Sequence, residues 1–132
     1  MAKQAYVKKN LEWLVEKAKE DGVLPLPKGI YYKVIKSGSG EGASPSRRSI
    51  ITVHYTGRTI NGKKFDSSRG GTPLAIRLNE LIEGWQTALQ QMHNGDVWEI
   101  YLPAEMGYGK FSQPGIPGGS TLIFEIELIA IG

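Results

Sequence analysis

Apolar residues recur at three- and four-residue steps in two stretches of the chain and alternate in twos through most of the rest. Between Leu78 and Met92, the residues Leu81, Ile82, Trp85, Ala88, Leu89 and Met92 fall on one face of a helix. Asn79 is placed to cap that helix, Glu80 suits its first turn, and Asn94-Gly95 supplies the stop. A single amphipathic helix among strands must lie on a sheet, because nothing else covers its apolar face. Trp85 sits mid-stripe and is expected to line whatever the sheet encloses. A second helix is predicted over Gln4 to Asp21, with a narrow seam of Val7, Leu11, Leu14 and Ala18 flanked by Tyr6, Trp13 and Val15. Its opposite face is charged. The seam needs cover, and its own domain and a partner chain are equally open as the source.

The remaining elements are read as strands and turns. Pro25-Leu26-Pro27-Lys28-Gly29 is a stiff connector, since each proline fixes φ and stops a helix. Ile30 to Ile35 is rich in β-branched and aromatic residues, hence a strand. Ser37 to Pro45 is a loop whose glycine spacing resembles a phosphate-binding loop, but no helix opens after it, so a mobile connection is the expectation. The strand Ser49 to Thr59 puts Ile51, Val53 and Tyr55 on one face and Thr52, His54 and Thr56 on the other. Asn61-Gly62 accepts the positive φ angles of a tight hairpin turn, and the returning strand carries Phe65 and Asp66. Shorter strands follow over Thr72 to Leu78 and Val97 to Leu102. The segment Ala104 to Ser120 is a long connection of the kind that is often functional. Thr121 to Ile131 then alternates Leu122, Phe124, Ile126 and Leu128 against Glu125 and Glu127. The pattern is that of an α+β domain: an antiparallel sheet over one central helix, with an added N-terminal helix.

Composition narrows the chemistry. A length of 132 residues, 40% of them hydrophobic and 22% charged, suits one soluble domain with a proper core. The chain has no cysteine, which excludes disulfides, thiolate metal sites and cysteine nucleophiles. A net charge of +3 is carried by scattered pairs such as Lys8-Lys9, Arg47-Arg48 and Lys63-Lys64, which read as solvated surface rather than a nucleic-acid stripe. No apolar run spans a membrane, so no membrane insertion is expected. His54 and His93 each stand alone, and Glu125 and Glu127 look like a solvated strand face rather than a catalytic pair. Neither metal nor cofactor is expected.

Five motifs in order carry a resemblance: Val53-His54-Tyr55-Thr56-Gly57, Asn61-Gly62-Lys63-Lys64-Phe65-Asp66-Ser67-Ser68, Ile82-Glu83-Gly84-Trp85, Tyr108-Gly109, and Thr121 to Leu128. Together they resemble the FKBP-type peptidyl-prolyl cis-trans isomerases over roughly residues 30 to 131. The helix running into Gly22 and then Leu24-Pro25-Leu26-Pro27-Lys28-Gly29-Ile30 is similar to the bacterial branch with an N-terminal helical extension, related to the macrophage infectivity potentiators. The resemblance implies a curved sheet wrapped on the central helix, residues 29–132 as the isomerase domain and residues 1–28 as helix and connector. In that branch a longer helical region dimerises the protein, so a homodimer through the one helix present here stands as an open expectation.

The resemblance also implies an aromatic pocket with Tyr55, Phe65, Asp66, Trp85 and Tyr108 as the catalytic set. Leu74, Ile76, Leu81, Ile82, Ile116 and Phe124 would bind substrate. Leu74 and Ile76 stand where many relatives carry phenylalanine, and Gly118 where a second proline is common; the first difference bears on macrolide inhibitors, the ligands such a pocket implies besides proline-containing polypeptides. Trp85 would form the floor, the Tyr108 hydroxyl and the Ile82 N–H would hold substrate carbonyls, and Asp66 would sit at the rim, bonded to Tyr55. The competing readings are Asp66 paired with Arg69 and a non-catalytic peptide-binding or chaperone module on the same fold. The chain as given suits the cytoplasm, or the periplasm or cell envelope if a signal peptide has been removed.

Overall fold

Alternation in twos builds one sheet. The computed structural model describes residues 2–38 and 42–132, so Met1 and the centre of the glycine-bearing loop, Ser39-Gly40-Glu41, lie outside the described residues. Seven strands form: β1 (Val23–Pro25), β2 (Tyr31–Lys36), β3 (Ile50–Arg58), β4 (Lys64–Ser67), β5 (Leu74–Arg77), β6 (Val97–Leu102) and β7 (Leu122–Ile131). Their order is β1-β2-β6-β7-β3-β4, with β5 also on β3, and each pairing is antiparallel. β1 was not expected; Val23-Leu24-Pro25 pairs with Tyr31 to Lys33 at the sheet's edge, where a proline does no harm to a ladder.

β3 fixes the site. Along one side it pairs with β7 for its whole length, from Ile51 opposite Ile131 to Arg58 opposite Ile123. Along the other, β5 covers Ile50 to Val53 and β4 covers Thr56 to Arg58. His54 and Tyr55 fall in the gap between the two partners. Ser68 bridges that gap: the Tyr55 N–H donates to Ser68 Oγ at 2.8 Å and the Ser68 N–H donates to the Tyr55 carbonyl at 2.9 Å.

The central helix is shorter than its apolar period. Leu78–Glu80 form a 3₁₀ turn, Leu81 and Ile82 are extended, and the α-helix α2 covers only Glu83–Leu89, with Ile82 at its cap position (φ −58°, ψ 154°). Asn79 therefore does not cap it. Leu78 is fully buried while Leu81 and Ile82 stay half-buried, so the apolar spacing serves two different backbones. The N-terminus of α2 is pinned by charge. Glu83 meets Arg47 at 3.1 Å and Lys28, and these partners, Arg47 first, hold its carboxyl down to about 2. That contribution to stability is complete above the ordinary carboxylate value of 4.5 and is lost as pH falls through about 2.

The N-terminal helix α1 (Ala2–Lys17) also ends earlier than expected, with turns from Ala18 to Gly22. It docks on its own domain through part of the expected seam, Val7 and Leu14, and not through Leu11. Leu14 is buried with Val23 and Tyr101, and Trp13 packs on Tyr101 at 5.9 Å. Leu11 and Val15 remain 52% and 56% exposed. Buried in their place is a polar residue, Asn10, at 1% exposure.

The main core gathers Ile51, Val53, Leu78, Trp85, Leu89, Met92, Ile100, Leu102, Leu122, Phe124, Ile126 and Leu128 between sheet and helix. Gly84 belongs to this packing: a Cβ there would lie 2.5 Å from both Leu102 methyls and 3.0 Å from its Cγ. Leu102 is fully buried and has nowhere to move. Gly84→Ala is therefore expected to destabilise by about 1–3 kcal/mol despite its better helix propensity. A lowered urea midpoint at unchanged m-value checks it.

Candidate functional site

At the β3 gap the sheet opens onto a cavity of about 250 Å³, below the usual range of drug-sized sites (about 300–1,000 Å³). Tyr55 enters it from β3, Phe65 and Asp66 from β4, and Leu74 from β5. The extended Leu81-Ile82 step and Trp85 come from the start of α2, Tyr108 from the long connection, and Phe124 from β7. Glu80 joins the rim, a residue the sequence reading did not place there. Ile76 and Ile116 lie outside this wall. Ile76 packs against the core opposite Ile51, and buried Ile116 faces a neighbouring depression with Tyr6 and Pro117.

The walls are built by ring contacts. Tyr55 meets Trp85 edge-on at 5.2 Å, Trp85 meets Phe124 at 5.3 Å, and Phe124 meets Phe65 at 5.6 Å, with interplanar angles of 79°, 84° and 89°. Such edge-to-face pairs are each worth about 0.5–1.5 kcal/mol beyond area burial, and the chain of four fixes the shape of the floor. Trp85 is 3% exposed. Gly57 makes the closing pair fit: a Cβ there would sit 2.6 Å from Phe65 and 2.7 Å from Phe124.

Of the two carboxylates at the rim, Asp66 is the one fixed by hydrogen bonds from Tyr55 and Ser67. The Tyr55 hydroxyl donates to Asp66 Oδ2 at 2.6 Å, and the Ser67 N–H donates to Asp66 Oδ1 at 2.9 Å. Arg69 does not pair with Asp66; it reaches across the outer face of the sheet to Glu127 at 2.9 Å and Glu125 at 3.9 Å. That leaves the two glutamates as an ion-paired surface. Ser67 and Ser68 are the residues that sequence reasoning missed. Ser67 Oγ donates to the Tyr55 carbonyl at 3.1 Å, and Ser68 Oγ also meets His54 Nδ1 at 2.9 Å. Their only signal was adjacency to Phe65-Asp66.

Two residues of the cavity lining carry donors without an internal acceptor among the described residues: Ile82 its N–H, and Tyr108, 37% exposed, its hydroxyl. Burial, and then the nearby Asp66 charge, pushes the Tyr108 phenol up. Burial, the Asp66 hydrogen bond and its charge push Tyr55 up to about 12. Both phenols therefore stay protonated donors across the neutral range. Among the described residues there is no group of three metal-ligating side chains, and no helix is long and apolar enough to cross a membrane.

A family model described as FKBP-type peptidyl-prolyl cis-trans isomerase matches residues 41–129. The chain is 42% identical over 130 residues to the FKBP-type 22 kDa peptidyl-prolyl cis-trans isomerase of Escherichia coli, covering 97% of this chain and 62% of that one. It is 41% identical over 125 residues to the peptidyl-prolyl cis-trans isomerase Mip of Coxiella burnetii, covering 93% and 54%. Among solved structures, FkpA from Escherichia coli superposes with a TM-score of 0.90 at 36% identity, over 98% of this chain and 61% of that one. A peptidyl-prolyl cis-trans isomerase from Pseudomonas syringae superposes at 0.89 and 33% identity, over 98% and 95%. The chain thus spans about half to three-fifths of the length of the curated relatives it matches.

The Tyr55 phenol sets a pH expectation. Its folded value lies above the ordinary 10.0, so its contribution to stability is complete below pH 10.0 and is lost as pH rises through about 12. In a phenolate absorbance titration, Tyr55→Phe should remove one late-titrating tyrosine of the six.

Proposed function

Because this chain belongs to the FKBP-type peptidyl-prolyl cis-trans isomerase family, we propose that the cavity catalyses rotation about X-Pro peptide bonds in polypeptides and so assists their folding. The observation that carries this reading is the pairing of an aromatic floor with two donors that have no internal acceptor among the described residues. The uncatalysed barrier is about 18–20 kcal/mol, because twisting the amide destroys its resonance. Halfway through the twist the carbonyl loses partial negative charge and the nitrogen becomes pyramidal. No nucleophile, metal or general base is required. The site has only to bind the twisted amide better than either planar form.

The residues divide that work. The prolyl ring rests on Trp85, with Tyr55, Phe65 and Phe124 around it. Apolar walls penalise the polar planar amide more than the less polar twisted one. The Ile82 N–H and the Tyr108 hydroxyl donate to carbonyls flanking the bond, which holds the chain while the one amide turns. Asp66, fixed through Tyr55 and the Ser67 N–H, places its charge beside the turning carbonyl, whose dipole reorients in that field. Ile76 and Ile116 belong to the shared core and do not line this wall, and the aliphatic Leu74 leaves it less aromatic toward macrolide ligands. Residues 29–132 hold every group that faces the substrate, and residues 1–28 pack against them as helix and connector.

A homodimer through the N-terminal helix is supported by exposed Leu11 and Val15 beside an apolar groove of about 550 Å³ that Val7 and Leu11 line. Sedimentation velocity showing a monomer unchanged by Leu11→Glu would dispose of it. An envelope location is supported by the relative from Legionella longbeachae named Outer membrane protein MIP, and cell fractionation checks it.

The enzyme is tested on a proline-containing tetrapeptide. Phe65→Ala, folded by circular dichroism, should lose at least about tenfold in kcat/KM, some 1.4 kcal/mol of transition-state stabilisation. Asp66→Leu should lose part of the rate. Full activity in Phe65→Ala would place the chemistry elsewhere. A wild-type protein that suppresses aggregation of a proline-free substrate without accelerating isomerisation would favour the non-catalytic chaperone reading.

A further inference from the structure

Asn10 is the most buried polar side chain of the N-terminal helix, and none of the chemistry above uses it. Its Oδ1 accepts the Thr121 N–H at 2.8 Å, its Nδ2 donates to the Tyr6 carbonyl at 2.8 Å, and its own carbonyl accepts Thr121 Oγ1 at 3.2 Å. One helical turn earlier, the Tyr6 hydroxyl meets Ser120 Oγ at 2.7 Å. Ser120 gives its single proton to the Pro117 carbonyl at 2.6 Å, so Tyr6 is the donor in that pair. Between them Val7 lies against Gly119, whose φ of 82° and missing Cβ admit it; a Cβ there would come 2.5 Å from the Val7 methyl. Three consecutive residues, Gly119, Ser120 and Thr121, are thus seated on α1.

Those three close the loop that presents Tyr108. The Gly119 N–H donates to the Gly109 carbonyl at 2.8 Å, and the Gly109 N–H donates to Ala104 at 2.8 Å. From Asn10 to Tyr108 the path is therefore Asn10, Thr121, Ser120, Gly119, Gly109, Tyr108. The Tyr108 hydroxyl has no internal partner among the described residues, so its placement depends on this loop rather than on a bond of its own.

We propose that Asn10 is a positioning residue: from the N-terminal helix it holds the Gly109–Thr121 loop, and through that loop the Tyr108 hydroxyl, in register with the substrate carbonyl. The proposal rests on the isomerase reading for its effect on rate. Its structural half does not. Tyr108 donates to a carbonyl that is present in both planar and twisted substrate, so loosening the loop weakens both alike and raises KM more than it lowers kcat.

The test uses the whole chain and Asn10→Leu, which keeps the volume and removes the acceptor. The expected result is a loss of about three- to tenfold in kcat/KM, the range one hydrogen bond allows, carried mostly by KM. In a Tyr108→Phe background the same substitution should cost little more, because the two losses share one contact. Val23→Ala, which loosens the other end of the same helix, should lower stability without moving KM. Amide exchange at Gly109 and Gly119 should speed up in Asn10→Leu while β3, β6 and β7 keep their protection. If Asn10→Leu does not fold, Tyr6→Phe removes the Ser120 bond alone and should shift KM and loop exchange in the same direction by less. Losses that add fully with Tyr108→Phe, or loop exchange equal to wild type, would overturn the proposal. A wild type inactive on the tetrapeptide would sink the isomerase reading, and loop exchange alone would then decide whether Asn10 holds the loop.

Discussion

Strand β3 has to satisfy one of its edges with two different strands, and the residues left between them are where the cavity opens. Everything at the site follows from that change of partner. Tyr55 is free to turn inward because neither β4 nor β5 lies beside it, and its backbone groups are completed by Ser68 instead. Beyond the gap, Gly57 lets Phe65 and Phe124 approach over the backbone where a methyl would keep them apart. On the other edge the pairing with β7 runs past the gap without a register shift from Val53 to Arg58, so both gap residues stay paired on that side. An orphaned backbone pair at this depth would cost about as much as a lost hydrogen bond each, so the serine bridge is what makes the gap tolerable.

The result is a site whose chemistry lies in shape and polarity. Four rings joined edge to face make a surface in which moving one ring disturbs its neighbour's contact. The polar groups are few and each has a fixed bearing: Asp66 held at both oxygens, Ile82 presented by the extended step before α2, Tyr108 carried on a closed loop. Arrangement in advance of substrate is what lets weak dipoles matter in such a place.

Much of this was legible in the sequence, though unevenly. Strand alternation placed Tyr55 inward and Phe124 on the buried face of β7, because a period of two has one physical meaning. The helix around Trp85 was overread. Leu78, Leu81 and Ile82 keep the helical spacing, yet one plugs the core from a 3₁₀ turn and two line the cavity from extended backbone. Apolar spacing reports burial and cannot say which backbone delivers it. Asn10 was invisible for the opposite reason. A polar residue beside Lys8, Lys9 and Glu12 looks solvated, and only the fold brings Thr121 to it across 111 positions. The partner of Asp66 could not be derived from spacing either, since Lys63, Lys64 and Arg69 all lie within three residues of it; the ordered motifs pointed to Tyr55, and Tyr55 is what Asp66 holds.

The position of β7 in the sheet has a kinetic side. It follows the other six strands in chain order, yet it lies in the middle, between β6 and β3, and it brings Phe124 to the cavity. Until it arrives, the earlier strands can form only two separate pieces, β1-β2-β6 and β3 with β4 and β5, each with an unpaired inner edge. Contacts of such long range close slowly, since the chain between must first be brought together. During synthesis the Ile51, Val53 and Trp85 surface would therefore stay uncovered until β7 had emerged. Like any nascent chain with open strand edges, it would be exposed to association until its own central strand was in place.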